Sequence, residues 1–264
     1  MITSLSNPII KEAVKIRKES RSYNNQAFFL IEGKRIVKTA MSAQNVNLKT
    51  IFHTADFFIK NKHLIDNLSK KAQNIFEVSD KVMDKISDTK SPPGIAGIVS
   101  MDQLRLSDID LTAARFIVFC DRIKEPGNLG AIIRSADAFG CDAVIVGKES
   151  AHPCSSKVVR ASAGSVLNKP IIIASFFDFY KYVKPNGFKL IVSSPKAKTS
   201  IYDAKLELPL IVVFGEEASG VSEEVKKYAD FDIFIPMSGN ADSLNVAQAC
   251  SIFLYEINRQ VLKS

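Results

Sequence analysis

The sequence predicts an α/β protein of two domains, and three observations carry that prediction. Short runs rich in β-branched and aromatic residues alternate along the chain with amphipathic helical segments. The 264 residues, 46% of them hydrophobic, are enough to bury two cores of ordinary size. A polar stretch interrupts the alternation, so we place a linker at residues 105–114, between a first domain at 1–104 and a second at 115–264.

The first domain is predicted to be a small α/β unit. A helix at residues 9–18 opens it, with apolar side chains on one side and lysines on the other. Four strands follow, at residues 27–31, 48–53, 74–78 and 95–100. The intervening helices are predicted at residues 34–43, 56–71 and 80–86, the last of them capped by Ser79.

The second domain opens with residues 115–120 (RFIVFC), which are apolar on both faces, as in a central strand of a parallel sheet. Further strands are predicted at residues 143–146, 171–174, 188–192, 210–214 and 231–235. Helices are predicted at residues 130–140, 155–163, 176–184, 222–228 and 243–262. The pattern indicates a parallel sheet of about six strands with helices on both faces.

Ligand sites in such sheets lie beyond the carboxyl ends of the strands. Polar and small residues occupy four of these ends, at residues 121–130, 193–199, 215–220 and 236–243. The last of them leads into the final helix, for which Ser243 is the expected N-cap. Ser243, Asn245 and the free N–H groups of the first turn would suit a ligand, and the alternative is an ordinary connection between strand and helix.

The positive charge of the chain is concentrated towards its N-terminus. Residues 1–110 carry 17 Lys and Arg against 12 Asp and Glu, whereas residues 111–264 carry 18 against 16. Such an excess suits a polyanion such as RNA, although a basic surface can also face water alone. The RNA-binding candidates lie in or near the first two helices: Lys11, Lys15, Lys18, Arg21 and Arg35.

Several classes of protein are excluded by composition. No apolar run reaches the roughly 18 residues of a membrane span, and the first thirty residues mix charges with polar groups, so we expect a cytoplasmic protein without a membrane partner. The three histidines show no metal-ligand spacing, and we predict no metal. The four cysteines are far apart and indicate core thiols rather than disulfides: Cys120, Cys141, Cys154 and Cys250.

Nucleotide cofactors are not supported by the first strand end. Residues 121–130 lack the Lys-Ser/Thr ending of a phosphate-binding P-loop, and their glycines do not fit the dinucleotide fingerprint. An ATP-dependent or NAD-dependent enzyme is therefore not indicated. Arg134, one turn into the next helix, could grip a phosphate with its planar fork or pair with a carboxylate such as Glu217.

Three stretches at these strand ends resemble, in order, the three motifs of the SpoU (TrmH) family of RNA ribose methyltransferases, of the SPOUT superfamily. They are residues 128–134 (NLGAIIR), 214–220 (FGEEASG), and 235–237 (IPM) leading to 243–246 (SLNV). Residues 31–33 and 93–96 also resemble the substrate-binding domain of many members. The chain departs from the second motif at Glu216 and Ala218, where Asn or Ser and then Gly often stand.

The resemblance implies a deep trefoil knot in the second domain, with S-adenosylmethionine held bent within it. The cofactor-binding residues would be Ser193, Gly215, Gly220, Ile235, Met237 and Leu244. The implied reaction is in-line attack of a ribose 2′-hydroxyl on the sulfonium methyl. Because a guanidinium stays protonated at neutral pH, we expect Arg134 to hold an RNA phosphate and stabilise the alkoxide, rather than act as the base. Its catalytic partners would be Asn128, Glu217, Ser243 and Asn245.

The RNA substrate and the assembly follow from the same resemblance. The N-terminal domain resembles that of ribosomal RNA enzymes, so ribosomal RNA of the 23S type is the expected substrate. The alternatives are transfer RNA, or a catalytically silent RNA-binding protein, which Glu216 and Ala218 would suggest. We also expect a homodimer through the C-terminal domain, since the final helix carries an apolar band wider than its own sheet needs, including Phe253, Leu254, Ile257 and Val261.

Overall fold

The computed structural model describes residues 1–262, apart from the side chains of Arg21 and Val261. These residues form two compact units. The first consists of Met1–Gln103 and Cys154–Asn168, and the second of Leu104–Pro153 and the chain from Lys169 onwards. Residues 154–168, which we predicted in the second domain, therefore group with the first unit, where Val158 and Val159 are buried.

Twelve strands and ten α-helices form the described part of the chain. The strands are β1 Arg21–Tyr23, β2 Gln26–Glu32, β3 Val46–His53, β4 Asn74–Glu77, β5 Ile95–Asp102, β6 Phe116–Asp121, β7 Ala143–Gly147, β8 Ile171–Ala174, β9 Lys189–Ser193, β10 Thr199–Ser200, β11 Leu210–Gly215 and β12 Phe231–Phe234. The helices are α1 Pro8–Lys18, α2 Lys34–Ser42, α3 Ala55–Lys60, α4 Lys62–Leu68, α5 Asp80–Ile86, α6 Pro126–Ala138, α7 Ser156–Ala161, α8 Phe176–Val183, α9 Glu223–Lys226 and α10 Val246–Val261.

The sheet of the first unit has the strand order β1-β2-β5-β3-β4, in which only β3 and β4 pair in parallel. Helices α1 and α5 cover one face, where Ile10 and Met83 join the cluster that contains Leu30 and Phe52. The predicted helix at residues 56–71 is wrong in one respect, because it is broken into α3 and α4. The break falls at Asn61, whose side chain donates to the Phe57 carbonyl at 3.0 Å and ends α3.

The second unit contains seven parallel strands in the order β10-β12-β9-β11-β6-β7-β8. This confirms the predicted α/β fold with a parallel sheet. All residues of β6 and β11 are buried, which explains why both strands are apolar on both faces. Helices α8 and α9 pack on one face beside Phe119. The other face holds α10, whose Phe253 ring meets the Phe214 ring edge-on with centroids 5.7 Å apart.

Two helices of the second unit begin at other residues than predicted. Helix α6 starts four residues before Gly130, at Pro126, whose fixed φ and missing N–H suit a first turn. Helix α10 starts at Val246, and its N-cap is Asn245 rather than Ser243. The Asn245 side-chain oxygen accepts from the Ala247 backbone N–H at 2.9 Å.

Candidate functional site

A cavity of about 290 Å³ opens at the carboxyl ends of β9, β11 and β12. Each of these strand ends was predicted to contribute to a ligand site. The structure brings together eight of the predicted site residues in the cavity lining: Ser193, Gly215, Glu217, Gly220, Ile235, Met237, Ser243 and Leu244. Sequence reasoning did not assign several other lining residues, among them Ser194, Lys196, Ser219 and Lys226.

The loop that follows β11, residues 215–220, is so tight that only glycine fits at position 215. A Cβ atom added at Gly215 would lie 2.1 Å from the Val221 nitrogen and 2.2 Å from the Gly220 carbonyl carbon. The Gly220 N–H donates to the Glu216 carbonyl at 2.8 Å, and Gly220 has a φ of 68°, in the left-handed region. The Gly215 backbone therefore packs directly against the backbone of Gly220 and Val221, which holds residues 215–220 in a closed turn beside the cavity.

Three predicted catalytic residues form a chain of side-chain hydrogen bonds across the sequence. The Asn245 amide nitrogen donates to the Asn128 side-chain oxygen at 2.9 Å. The Asn128 amide nitrogen in turn donates to the Glu217 carboxylate. Since these residues come from the first, second and third motif-like stretches, the three stretches are joined at one place beside the cavity.

Arg134 lies in α6 with an exposed side chain. Among the described residues it makes no hydrogen bond or ion pair, and Glu217 bonds Asn128 instead. The predicted alternative of a salt bridge to Glu217 is therefore wrong. The next residue, Ser135, shares a hydrogen bond of 2.8 Å with Ser251 of α10, which fixes the orientation of α6 while the Arg134 guanidinium stays available.

Two charged contacts at this edge were missed by sequence reasoning. Lys124 lies 2.7 Å from the Glu216 carboxylate, and the first cause of the lowered pKa of Glu216 is its hydrogen bond from Lys124. Asp121, at the end of β6, accepts from the Ser222 backbone N–H at 2.7 Å. The sequence did contain one signal for the Lys124–Glu216 contact, because both residues lie in loops that follow predicted strands. Sequence spacing alone does not show that two loops about ninety residues apart lie side by side.

Three further findings concern the cysteine thiols, the clustering of possible metal ligands and the length of the helices. All four cysteines are buried thiols, and burial raises the pKa of Cys141 and Cys154 to about 12. Within residues 1–262, no three His, Cys, Asp or Glu side chains come together as metal ligands do. Of the helices described, none combines the length and the apolarity that crossing a membrane requires.

The predicted RNA-binding residues are only partly brought together in the first unit. Lys11, Lys15 and Lys18 are exposed along one side of α1. Arg35 is also exposed, but it lies on α2, whose buried residues are not part of the cluster under α1. The Arg21 side chain lies outside what the structure describes. Sequence reasoning missed the lysines of α5, which packs beside α1 and exposes Lys81 and Lys85.

Two protein families match the chain, one for each part of it. The profile described as the SpoU rRNA Methylase family matches residues 115–255, more than half of the chain. The profile described as the MRM3-like substrate binding domain matches residues 7–97. The first match contains the cavity lining and the Asn245–Asn128–Glu217 chain, and the second contains the basic face of α1.

Relatives of known name match over nearly their whole length. A tRNA/rRNA methyltransferase of Synechocystis, named as uncharacterised, is 32% identical over 260 residues, which are 98% of this chain and 93% of the relative. The 23S rRNA (guanosine(2553)-2′-O)-methyltransferase RlmP of Bacillus subtilis is 26% identical over 257 residues, 97% of this chain and 98% of the relative. The crystal structure of an AdoMet-bound rRNA methyltransferase from Sinorhizobium meliloti is similar with a TM-score of 0.85, at 29% identity, and covers 98% of this chain and 97% of that one.

Proposed function

The chain belongs to the SpoU rRNA methylase family, and from that premise we propose that it methylates the 2′-hydroxyl of a ribose in ribosomal RNA of the 23S type. The methyl donor is S-adenosylmethionine. The observation that carries the proposal is the junction of the three motif-like stretches, where Asn245, Asn128 and Glu217 are joined beside a cavity lined by the second and third stretches.

The cavity suits S-adenosylmethionine, which supplies an activated methyl group on a sulfonium centre. The loop 215–220 keeps its tight shape because Gly215 has no side chain. We assign the peptide groups of Gly215, Ile235 and Met237, which line the cavity, to hydrogen bonds with the cofactor. Leu244 adds an apolar surface, and Ser193 and Gly220 complete the cofactor set. No metal ion has a part in this proposal.

Arg134 has the central catalytic role in the proposed mechanism. Its exposed guanidinium, which has no partner among the described residues, binds the phosphate next to the target ribose and stabilises the negative charge that develops on the attacking oxygen. The proton of the hydroxyl passes to water, because a guanidinium has only donors and no acceptor atom for it. Asn128, Glu217 and Asn245 hold the ribose in line with the methyl group, and Ser243 contributes a hydroxyl at the cavity.

The first unit binds the RNA in this proposal. Residues 1–104 are assigned to the substrate-binding domain and 115–264 to the methyltransferase domain, with two corrections to the predicted bounds. Residues 154–168 group with the first unit, and the predicted linker at 105–114 belongs to the second. The exposed lysines of α1 contact phosphates without touching the methyl group, aided by Arg21 and Arg35. Ribosomal RNA is preferred to transfer RNA because a substrate-binding domain accompanies the catalytic one. A silent protein is disfavoured, since the charge of Glu216 is balanced by Lys124.

A trefoil knot in the second unit belongs to the same proposal. The chain runs from β9 to β10 at the sheet edge, returns to β11 on the other side of β9, and then places β12 between β10 and β9. The Gln260 side chain bonds the Leu206 N–H and the Ala204 carbonyl, both in the segment between β10 and β11. This order supports passage of the C-terminal segment through the loop that residues 194–209 close.

The enzyme acts in the cytoplasm as a homodimer that pairs through α10. Phe253, Leu254 and Ile257, which suggested this pairing, do not support it, because they are buried within the protein's own unit. Ile252 and Tyr255 support the proposal instead, since they are 38% and 57% exposed on the same helix, and Tyr255 packs edge-on against Phe139.

Two measurements test the function. Purified protein is titrated with S-adenosylhomocysteine by calorimetry, and ribose methylation is mapped on 23S ribosomal RNA incubated with the protein and labelled cofactor. Arg134→Ala is expected to abolish methyl transfer with cofactor affinity almost intact, because the proposed contact is to RNA, and Arg134→Lys should restore little, since it lacks the planar fork. Near-normal turnover of Arg134→Ala would contradict the mechanism. Methylation of transfer RNA but not of ribosomal RNA would show that the proposed substrate is wrong.

A further inference from the structure

Two neighbouring acids in the loop 215–220 reach different partners on the loop 121–130. Glu217 accepts from Asn128, whereas the Glu216 carboxylate lies 2.7 Å from the Lys124 ammonium group. The same Glu216 carboxylate accepts from the Ser219 hydroxyl at 2.7 Å. Glu216 therefore closes the turn of its own loop and also ties that loop to the first strand end.

The surroundings of this pair distinguish it from an ion pair in open solvent. The Glu216 side chain is only 20% exposed, while that of Lys124 is 61% exposed. Both Glu216 and Ser219 line the cavity. The carboxylate is ionised at neutral pH, since hydrogen bonds from Lys124 and Ser219 lower the pKa of Glu216. Without Lys124, the cavity loop would carry two adjacent carboxylates, and Glu216 would lose the cation that hydrogen-bonds it and keep only the more distant charge of Arg122.

We propose that Lys124 and Glu216 form a positioning pair for the cofactor loop. Lys124 holds residues 215–220 against residues 121–130, which keeps Glu217 within reach of Asn128. It also balances a negative charge in the lining of the cavity. This inference rests on the proposed function and deepens it, because it identifies Lys124 as the residue that makes Glu216 compatible with this cavity.

The pair is tested by calorimetric titration with S-adenosylhomocysteine of the wild type, Lys124→Met, Glu216→Gln and the double variant. Lys124→Met should weaken binding about fivefold to tenfold, as expected when a mostly covered charge loses its charged hydrogen-bond partner. The double variant should recover to within about threefold of the wild type, because removal of the Glu216 charge removes the need for Lys124. Lys124→Arg should bind like the wild type.

The matched control is Lys189→Met, an exposed lysine at the amino end of β9, away from the cavity. Methyl transfer at saturating cofactor should fall in Lys124→Met and recover in the double variant, since the Glu217–Asn128 contact is restored. Melting temperatures should agree among the variants, so that loss of fold does not explain the changes.

Two results would overturn the positioning role. One is binding of Lys124→Met that matches the wild type, and the other is an equal loss in Lys124→Met and in the double variant. A wild-type protein that does not bind S-adenosylhomocysteine is a separate outcome, because it contradicts the proposed function before any variant is compared.

Discussion

Replacement of Gly215 by alanine is the sharpest test of the cofactor cavity. The new Cβ would lie 2.1 Å from the Val221 nitrogen and 2.3 Å from the Gly220 carbonyl oxygen, whereas ordinary contacts begin at 3.4 Å. The neighbouring atoms are backbone, so no side-chain rotation relieves the overlap. Residues 220 and 221 must retreat by more than about 1 Å, a shift that the packed surroundings resist.

The cost can be estimated for both responses of the protein. Overpacking of a close-packed site destabilises by about 1–3 kcal/mol. In a unit of this size, a loss of about 2 kcal/mol lowers the melting temperature by roughly 4–8 °C. If the loop moves instead, the peptide groups that line the cavity move with it, and the same 2 kcal/mol appears as a weakening of cofactor binding by about 30-fold.

Calorimetry with S-adenosylhomocysteine and thermal melting together distinguish the two responses. Gly239→Ala is the matched control, because a Cβ at Gly239 meets nothing within 4 Å. It should melt and bind like the wild type. A Gly215→Ala protein that keeps both its melting temperature and its affinity would refute the close approach at this loop, and with it the reason for a glycine there.

Three further predictions concern the RNA surface, the assembly and the thiols. Replacement by glutamine of the exposed lysines of α1, which are Lys11, Lys15 and Lys18, should weaken RNA binding. It should also reduce the slope of log affinity against log salt by up to about 0.7–0.9 per lost phosphate contact. An unchanged slope would show that RNA binds to another surface. Tyr255→Glu should convert the dimer to a folded monomer by light scattering, with activity lost in parallel, whereas a wild type that is monomeric and active would end the dimer proposal. Burial raises the pKa of Cys141 to about 12, so this thiol stays protonated and resists alkylation at pH 8 until the protein unfolds; fast labelling of the native protein, read by mass spectrometry, would contradict its burial.

Local pattern was enough to predict most strands of the second unit. The predicted strand at residues 171–174 coincides with β8. Strands β6 and β11 were each placed within one residue, because strands buried on both faces are continuous apolar runs. The strands that were missed are β1 and β10, of three and two residues. Runs that short contain no periodicity, and only pairing with a neighbouring strand defines them.

The cavity edge was predictable in many of its lining residues but not in its contacts. Ser243 and Asn245 are both suitable N-cap residues, and sequence favoured the first. Asn245 caps the helix in the structure while its amide nitrogen also bonds Asn128, 117 positions away in the chain. Asn245 is favoured as the N-cap because it also makes this tertiary contact. N-cap preferences describe only the local sequence, so they do not include it.

The apolar width of α10 shows why periodicity does not identify a partner. Phe253, Leu254 and Ile257 belong to the band that suggested a dimer, yet all three are buried within their own unit, with Phe253 against Phe214. Both faces of the parallel sheet are covered, so a helix that packs on it buries a wide apolar band. The apolar band of α10 is therefore explained within a single chain. A charge at Leu254 would therefore unfold the unit rather than separate two copies, whereas a change at the exposed Tyr255 can report on dimerisation without that ambiguity.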